Sequence, residues 1–289
     1  MDNVTRIEGA LVSAVTVSEA PGAPPRLAAA MRHAVFPRGA RVRPRLCLAV
    51  AAACGDDQPG LSEAAAASIE LLHCASLVHD DLPCFDNADT RRGRPSVHRA
   101  FGERLAVLAG DALIVLAFET VARADCSAER IPPVLLTVSR SVGMPLGISA
   151  GQAWECEPVC DLSRYHQAKT GALFAAATMA GAAAAGHDPM PWRALGEKLG
   201  EAYQVADDIR DAAADEEEMG KPAGQDVALG RPNAVTALGL AGALERLEGL
   251  VKEAITAIPP CPGRGDLKAL ILSEAKRLVP KRLAAQQAA

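Results

Sequence analysis

Apolar residues recur along nearly the whole chain at intervals of three and four, the spacing that gathers them on one face of an α-helix. The pattern predicts helices over 3–16, 24–36, 42–54, 61–81, 102–124, 132–142, 146–157, 163–185, 191–212, 233–257 and 266–284. Pro and Gly occupy many of the gaps, among them Pro21-Gly22, Gly55, Pro59-Gly60, Pro189 and Pro259-Pro260. No internal repeat is visible. The Pro/Gly stretch 259–265 leaves too little chain behind it to fold alone, so one domain over 1–289 is expected.

Composition sharpens the helical reading. Alanine is abundant and aromatic residues make up only 3%, so the β-branched and aromatic runs that mark strands are scarce. An all-α protein follows. Hydrophobic residues at 49% and a mean hydropathy of +0.10 suit a sizeable core. A net charge of −5 supplies no global basic field, so no nucleic-acid partner is expected. The opening MDNVTRIEGA holds two acidic residues and no long apolar run, so no secretory signal is expected. The longest uncharged segment, Thr170 to Gly186, is slightly short for a bilayer span and rich in Ala and Gly. A cytoplasmic protein with no integral membrane segment is the expectation. The eight cysteines (Cys47, Cys54, Cys74, Cys84, Cys126, Cys156, Cys160 and Cys261) form no CxxC pair and read as reduced and mostly buried.

Two charged stretches interrupt the apolar pattern, each at the end of a long apolar helix. The first is His79-Asp80-Asp81-Leu82-Pro83-Cys84-Phe85-Asp86, followed by Arg91-Arg92-Gly93-Arg94-Pro95. The second is Asp207-Asp208-Ile209-Arg210-Asp211, followed by a loop from Asp215 to Arg231. Residues four apart share a helix face, so Asp207 and Asp211 point the same way with Asp208 beside them. In the first cluster Pro83 breaks the helix, which lets Asp86 come back toward Asp80. Clustered carboxylates repel unless cations occupy the site, and Mg²⁺ is typically held by one or two carboxylates plus substrate phosphates. A single cluster could be a solvated helix end; two in one helical chain point to a metal-bridged phosphate site.

Such a site also needs point charges and bidentate donors. Candidates are Arg91 and Arg92 after the first cluster, Arg41 and Arg43 in Gly39-Ala40-Arg41-Val42-Arg43-Pro44, Lys169 before an apolar helix, and Lys221 and Arg231 around the loop after the second cluster. Each alone could be a surface charge. A lone His in an apolar helix is usually a satisfied core residue, but His73 precedes Asp80 by seven residues, nearly two turns, so it faces almost the same way.

DDLPCFDNADTRRGRPSVH resembles the first aspartate-rich motif of the bacterial polyprenyl synthetase family, and YQVADDIRD resembles the second. Between them GERLAVLAGDALIVLAFE, GQAWE and KTGALF stand in the family's order, so the likeness covers roughly residues 25 to 235. The wording around the first motif is most similar to geranylgeranyl diphosphate synthases of bacterial carotenoid pathways. The resemblance implies an orthogonal helical bundle around a deep apolar pocket, and addition of isopentenyl diphosphate to an allylic diphosphate. It also implies a homodimer, and about three Mg²⁺ ions per site, replaceable by Mn²⁺. Asp80, Asp86 and Asp207 would be the main magnesium ligands, with Asp211 joining them and Asp81 and Asp208 helping directly or through water. Arg91, Lys169, Thr170, Gln204 and Lys221 would hold the allylic diphosphate, with Arg231 closing the loop beyond. Arg43, His73 and Arg92 would hold isopentenyl diphosphate.

The chain departs from the family in three places. Ala40 stands where a lysine is usual, leaving Arg38 or Arg41 to substitute; Arg231 replaces a common lysine, and Glu155 an aspartate. Farnesyl-producing relatives with this motif form place an aromatic residue five positions before the first Asp. Here that position is Ala75, so growth past C15 is expected, with Leu71 and Leu72 about a turn deeper as the stop. A class I terpene cyclase would not need the second cationic set, and a non-catalytic synthase subunit tends to lose one aspartate motif.

Overall fold

The computed structural model describes residues 2–36, 39–158, 167–213 and 233–278. They are almost entirely helical. Helix α1 (Asn3–Val17) starts at Asp2, whose carboxylate accepts the Thr5 N–H at 3.0 Å. It is followed by α2 (Pro25–Val35) and α3 (Val42–Ala53), and by α4 (Pro59–Asp80), whose end carries the first aspartates. A two-residue hairpin, β1 (Thr90–Arg91) and β2 (Arg94–Pro95), leads into α5 (Val97–Phe101) and α6 (Glu103–Ala122). Next come α7 (Ile131–Val142) and α8 (Ile148–Trp154). A single π-helical turn, Gln167–Gly171, opens α9 (Ala172–Ala184). The second aspartates lie near the end of α10 (Arg193–Ala213). The last elements are α11 (Ala234–Thr256) and α12 (Arg264–Leu278).

Helix α9 occupies the centre and packs against α3, α4, α7 and α10. Its small residues permit that crowding. A Cβ on Gly181 would fall 2.3 Å from the Cys47 carbonyl oxygen of α3, and one on Gly196 of α10 would fall 2.4 Å from Ala175 Cα. Buried apolar side chains from Ile7 to Ile271 form one continuous cluster, with Ile69, Leu71, Phe174, Leu195 and Ile209 fully enclosed. The helical expectation therefore holds, and most boundaries agree within a few residues.

Three differences have local causes. The segment expected as one helix over 102–124 is preceded by a separate short helix, because Gly102 takes φ 91° between α5 and α6. The hairpin at 90–95 was not expected; it turns on Arg92 (φ 52°) and Gly93 (φ 73°), the pair of positive φ values that a tight two-residue turn requires. The cysteines are free, but among the seven described only Cys47, Cys54 and Cys74 are buried; Cys126 and Cys261 are half-buried and Cys84 and Cys156 exposed.

Helices α4 and α6, rather than the 170–186 segment, are long and apolar enough to cross a membrane by length and composition. Helix α4 lies mostly inside the core, which accounts for its character, whereas α6 leaves Val107, Leu108 and Val115 on the surface.

Candidate active site

The first aspartate cluster is built by the way α4 ends. Asp80 is its last helical residue and Asp81 caps it. After Pro83 the chain folds back, with the Asp86 N–H donating to the Asp80 carbonyl at 2.9 Å and the Ala88 N–H to the Asp81 carbonyl at 3.2 Å. Asp86 thus returns to Asp80, as the spacing predicts. Burial, together with the Asp86 charge, pushes the Asp80 carboxyl up to about 6 against the opposing pull of Lys169. Asp81 is turned inward: it is buried, and Arg91 Nε donates to it at 3.0 Å with a second contact from the same guanidinium.

The second cluster shows the same division. Asp207 is exposed and pairs with Arg210 at 2.7 Å, and Asp211, one turn on, is half-buried on the same side. Asp208 faces inward. Its carboxylate accepts Gln204 Nε2 at 3.1 Å and the Ala234 backbone N–H at 2.8 Å. In each cluster, then, one buried aspartate serves a neighbouring segment while the others are half-buried or exposed.

Lys169 stands between the clusters. The π-helical turn that carries it packs against α8, α9 and α10, close enough for Lys169 to be the leading cation acting on Asp80. Its ammonium also pairs with Glu155 of the α8 end. The side chain of Thr170, and all of Arg38, Lys221 and Arg231, lie outside the described residues.

A second set of cations gathers about two to three turns below Asp80, beside His73 and Glu70. Arg43 Nη1 lies 3.4 Å from His73 Nε2, and its guanidinium sits 4.5 Å from the Phe174 ring centroid. Arg92 reaches the same region from the hairpin, which is tied to α2 by Arg94 donating to the Phe36 carbonyl and by His33 meeting the Pro95 carbonyl. Gly39 lets Arg92 in, since a Cβ there would lie 2.8 Å from the guanidinium carbon. Burial, followed by the charges of Arg43, Arg92, Arg91 and Arg41, drives the His73 pKa well below its usual value, so the imidazole is neutral. Arg43 Nε and Arg92 Nη1 are buried without a hydrogen-bond partner among the described residues, as donors awaiting an anion would be.

Arg41 does not take the place of the lysine missing at Ala40. It is buried, and its guanidinium is committed to Glu8 at 2.9 Å, Glu70 at 2.6 Å and the Val35 carbonyl at 2.9 Å. Sequence reasoning gave no role to Glu70, or to Gln152, both of whose side-chain amide atoms are buried without a hydrogen-bond partner among the described residues. Gln152 adjoins Gly151, whose absent Cβ lets the Lys169 backbone approach α8, and its place in GQAWE was the available signal. The chain-length candidates Ala75, Leu71 and Leu72 are all buried on α4 below Asp80.

Among the described residues no three carboxylate, imidazole or thiol groups form a ready-made metal cage. The donor chemistry nonetheless fits a hard divalent ion, because Asp80 and Asp86 form a mutually repelling pair with oxygen donors only. Such a site would complete its coordination with ligand phosphates and water.

Residues 24–260 match the family model described as polyprenyl synthetase. The chain is 53% identical over 282 residues to a geranylgeranyl diphosphate synthase of Cereibacter sphaeroides, covering 97% of this chain and 98% of that one. It is 51% identical over 275 residues to the enzyme of the same name in Rhodobacter capsulatus, covering 95% of each. Among solved structures it resembles a Pyrococcus horikoshii geranylgeranyl pyrophosphate synthetase with a TM-score of 0.79 at 30% identity, covering 96% of both chains. A Helicobacter pylori geranyltransferase complexed with magnesium and isoprenyl diphosphate gives a TM-score of 0.78 at 31% identity, covering 96% of this chain and 98% of that one.

Proposed function

The chain belongs to the polyprenyl synthetase family, and from that premise we propose that it condenses isopentenyl diphosphate with an allylic diphosphate, releasing pyrophosphate and ending at geranylgeranyl diphosphate. It is a metal-dependent trans-prenyltransferase. Farnesyl diphosphate is the principal primer in this reading, with the C5 and C10 allylic diphosphates also accepted; a farnesyl or longer-chain synthase is the runner-up. The observation that carries the reading is the position of Lys169, whose turn packs on the helix of the second aspartate cluster while its charge acts on Asp80 of the first. One diphosphate bridged between the clusters would meet both carboxylate sets and this ammonium.

In this account Asp80, Asp86, Asp207 and Asp211 would hold Mg²⁺ ions, about three per site, with Mn²⁺ able to replace them. When bound, the ions supply charge stabilisation to the departing diphosphate. Lys169, Arg91, Thr170, Gln204, Lys221 and Arg231 orient the allylic diphosphate from the protein side. Asp81 fixes Arg91, and Asp208 fixes Gln204 and the start of α11. Arg43, Arg92 and neutral His73 hold the isopentenyl diphosphate, Arg43 and Arg92 through their unpartnered N–H donors. The isopentenyl double bond attacks the allylic carbon as its C–O bond breaks, and the proton then lost goes to a diphosphate oxygen. Closely packed Ala and Leu side chains exclude the water that would quench the cation.

The single apolar cluster supports one catalytic domain acting as a unit. The exposed apolar face of α6, with Val115 65% exposed and Leu108 51%, suits burial against a second copy in a cytoplasmic homodimer. The two-cluster account is tested by turnover after chelation and in Asp80→Ala and Asp207→Ala. Each variant is expected to lose roughly 10²-fold or more at saturating metal, as when a group that stabilises developing charge is removed. Near-normal turnover in either would refute it.

A further inference from the structure

Glu70 has no part in the mechanism above, yet it is enclosed on α4 one turn before His73 and is only 2% exposed. Its Oε1 lies 2.6 Å from Arg41 Nη1 and 3.7 Å from Arg92 Nη2. It therefore ties the residue that starts α3 to the tip of the 90–95 hairpin. Both tied residues hold left-handed backbone conformations, Arg41 at φ 51° and Arg92 at φ 52°. Non-glycine residues keep such conformations where their surroundings enforce them. Arg41 is further locked by Glu8 and the Val35 carbonyl, so it is a fixed post against which Glu70 is set.

Arg43 follows Arg41 by two residues, and Glu70 is the leading opposite charge acting on it. The guanidinium groups of Arg41 and Arg92 thus flank one carboxylate, and its charge is felt by Arg43 beside His73. Without it they would repel, and the Arg92 side chain is the one to swing away, because Arg41 keeps Glu8 and the Val35 carbonyl and Arg43 keeps the Phe174 ring. Alanine at position 40 makes the geometry more demanding, since fewer cations remain to hold a diphosphate there.

We propose that Glu70 is a positioning residue for isopentenyl diphosphate, holding Arg92 converged with Arg43 on His73. The inference rests on the assignment of those three residues to that substrate. An alternative physical role would be dilution of the positive field, in which case removing the charge would tighten diphosphate binding. The two roles give opposite signs.

The test is a double-mutant cycle with Glu70→Gln, Arg92→Gln and both together, reading KM for each substrate. Glu70→Gln alone is expected to raise the isopentenyl diphosphate KM about 10-fold while changing the allylic KM less than about 3-fold; in the Arg92→Gln background its added effect should fall below about 3-fold. Glu8→Gln, which weakens the outer bond of Arg41 without touching Glu70 itself, should leave the ratio of the two KM values unchanged. A lower isopentenyl KM, equal changes for both substrates, or effects that simply multiply would overturn the proposal. If Glu70→Gln does not fold, Glu70→Asp carries the test: it keeps the charge but withdraws it from Arg92, and should raise the isopentenyl KM selectively. An inert wild-type protein would instead refute the underlying assignment of function.

Discussion

The Asp208 carboxylate accepts the Ala234 backbone N–H at 2.8 Å, joining the end of α10 to the start of α11. Asn233 caps the same helix, accepting the N–H groups of Val235 at 2.9 Å and Thr236 at 3.2 Å. Asp208 thus supplies a third hydrogen bond to this helix start, pairing an N–H group that Asn233 does not reach.

Two adjacent aspartates should therefore fail differently. Asp208→Ala is expected to destabilise the fold by about 1–2 kcal/mol through the lost cap, read as a lower denaturant midpoint without added metal. Asp207→Ala, at an exposed position, should leave that midpoint nearly unchanged and act on turnover. Equal stability losses would contradict the division of roles.

Asp80 makes a pH-dependent prediction. In the folded protein its carboxyl titrates near 6, against an ordinary value of 3.8, chiefly because it is buried. The folded state binds this proton more tightly than the unfolded chain, so the site favours the metal-free fold at acid pH. That contribution is complete below about pH 4, is lost as pH rises to about 6, and does not change further above that range. Divalent metal requires the ionised carboxylate, so the rise in melting temperature caused by Mg²⁺ should be small at pH 5 and larger at pH 7. Asp80→Asn should raise the metal-free melting temperature at pH 7 while abolishing turnover. A metal effect independent of pH would remove Asp80 from the ligand set.

Much of this is legible in the sequence itself. Apolar periodicity located the long helices, because a helix buried on one side must repeat its apolar residues at that interval. Pro83 announced the fold-back that returns Asp86 to Asp80. The division within each aspartate pair was not legible: Arg91, which holds Asp81, and Ala234, which binds Asp208, lie 10 and 26 residues away, and only the folded chain reveals them. Arg41 and Arg43 look alike in sequence, two residues apart, yet the left-handed turn at Arg41 sends one guanidinium to Glu8 and Glu70 and leaves the other beside His73. The hairpin at 90–95 was hidden because Arg92 is an unusual residue for a positive φ.

Product length should respond to Ala75. It lies five residues before Asp80, about 7.5 Å along the axis, and Leu71 and Leu72 lie roughly a turn deeper. All three are buried. Ala75→Tyr should place a ring across the path of the growing tail and shift the main product from C20 to C15, while the C5 and C10 primers still condense. An unchanged C20 product from the folded variant would locate the floor elsewhere.

The most direct test supplies the purified protein with Mg²⁺, labelled isopentenyl diphosphate and, in turn, the C5, C10 and C15 allylic diphosphates, with the products separated by chain length. The account predicts metal-dependent incorporation from the C15 primer, with geranylgeranyl diphosphate as the main product and pyrophosphate released in equal amount. No incorporation from any primer, or a cyclised hydrocarbon formed from an allylic diphosphate alone, would contradict it.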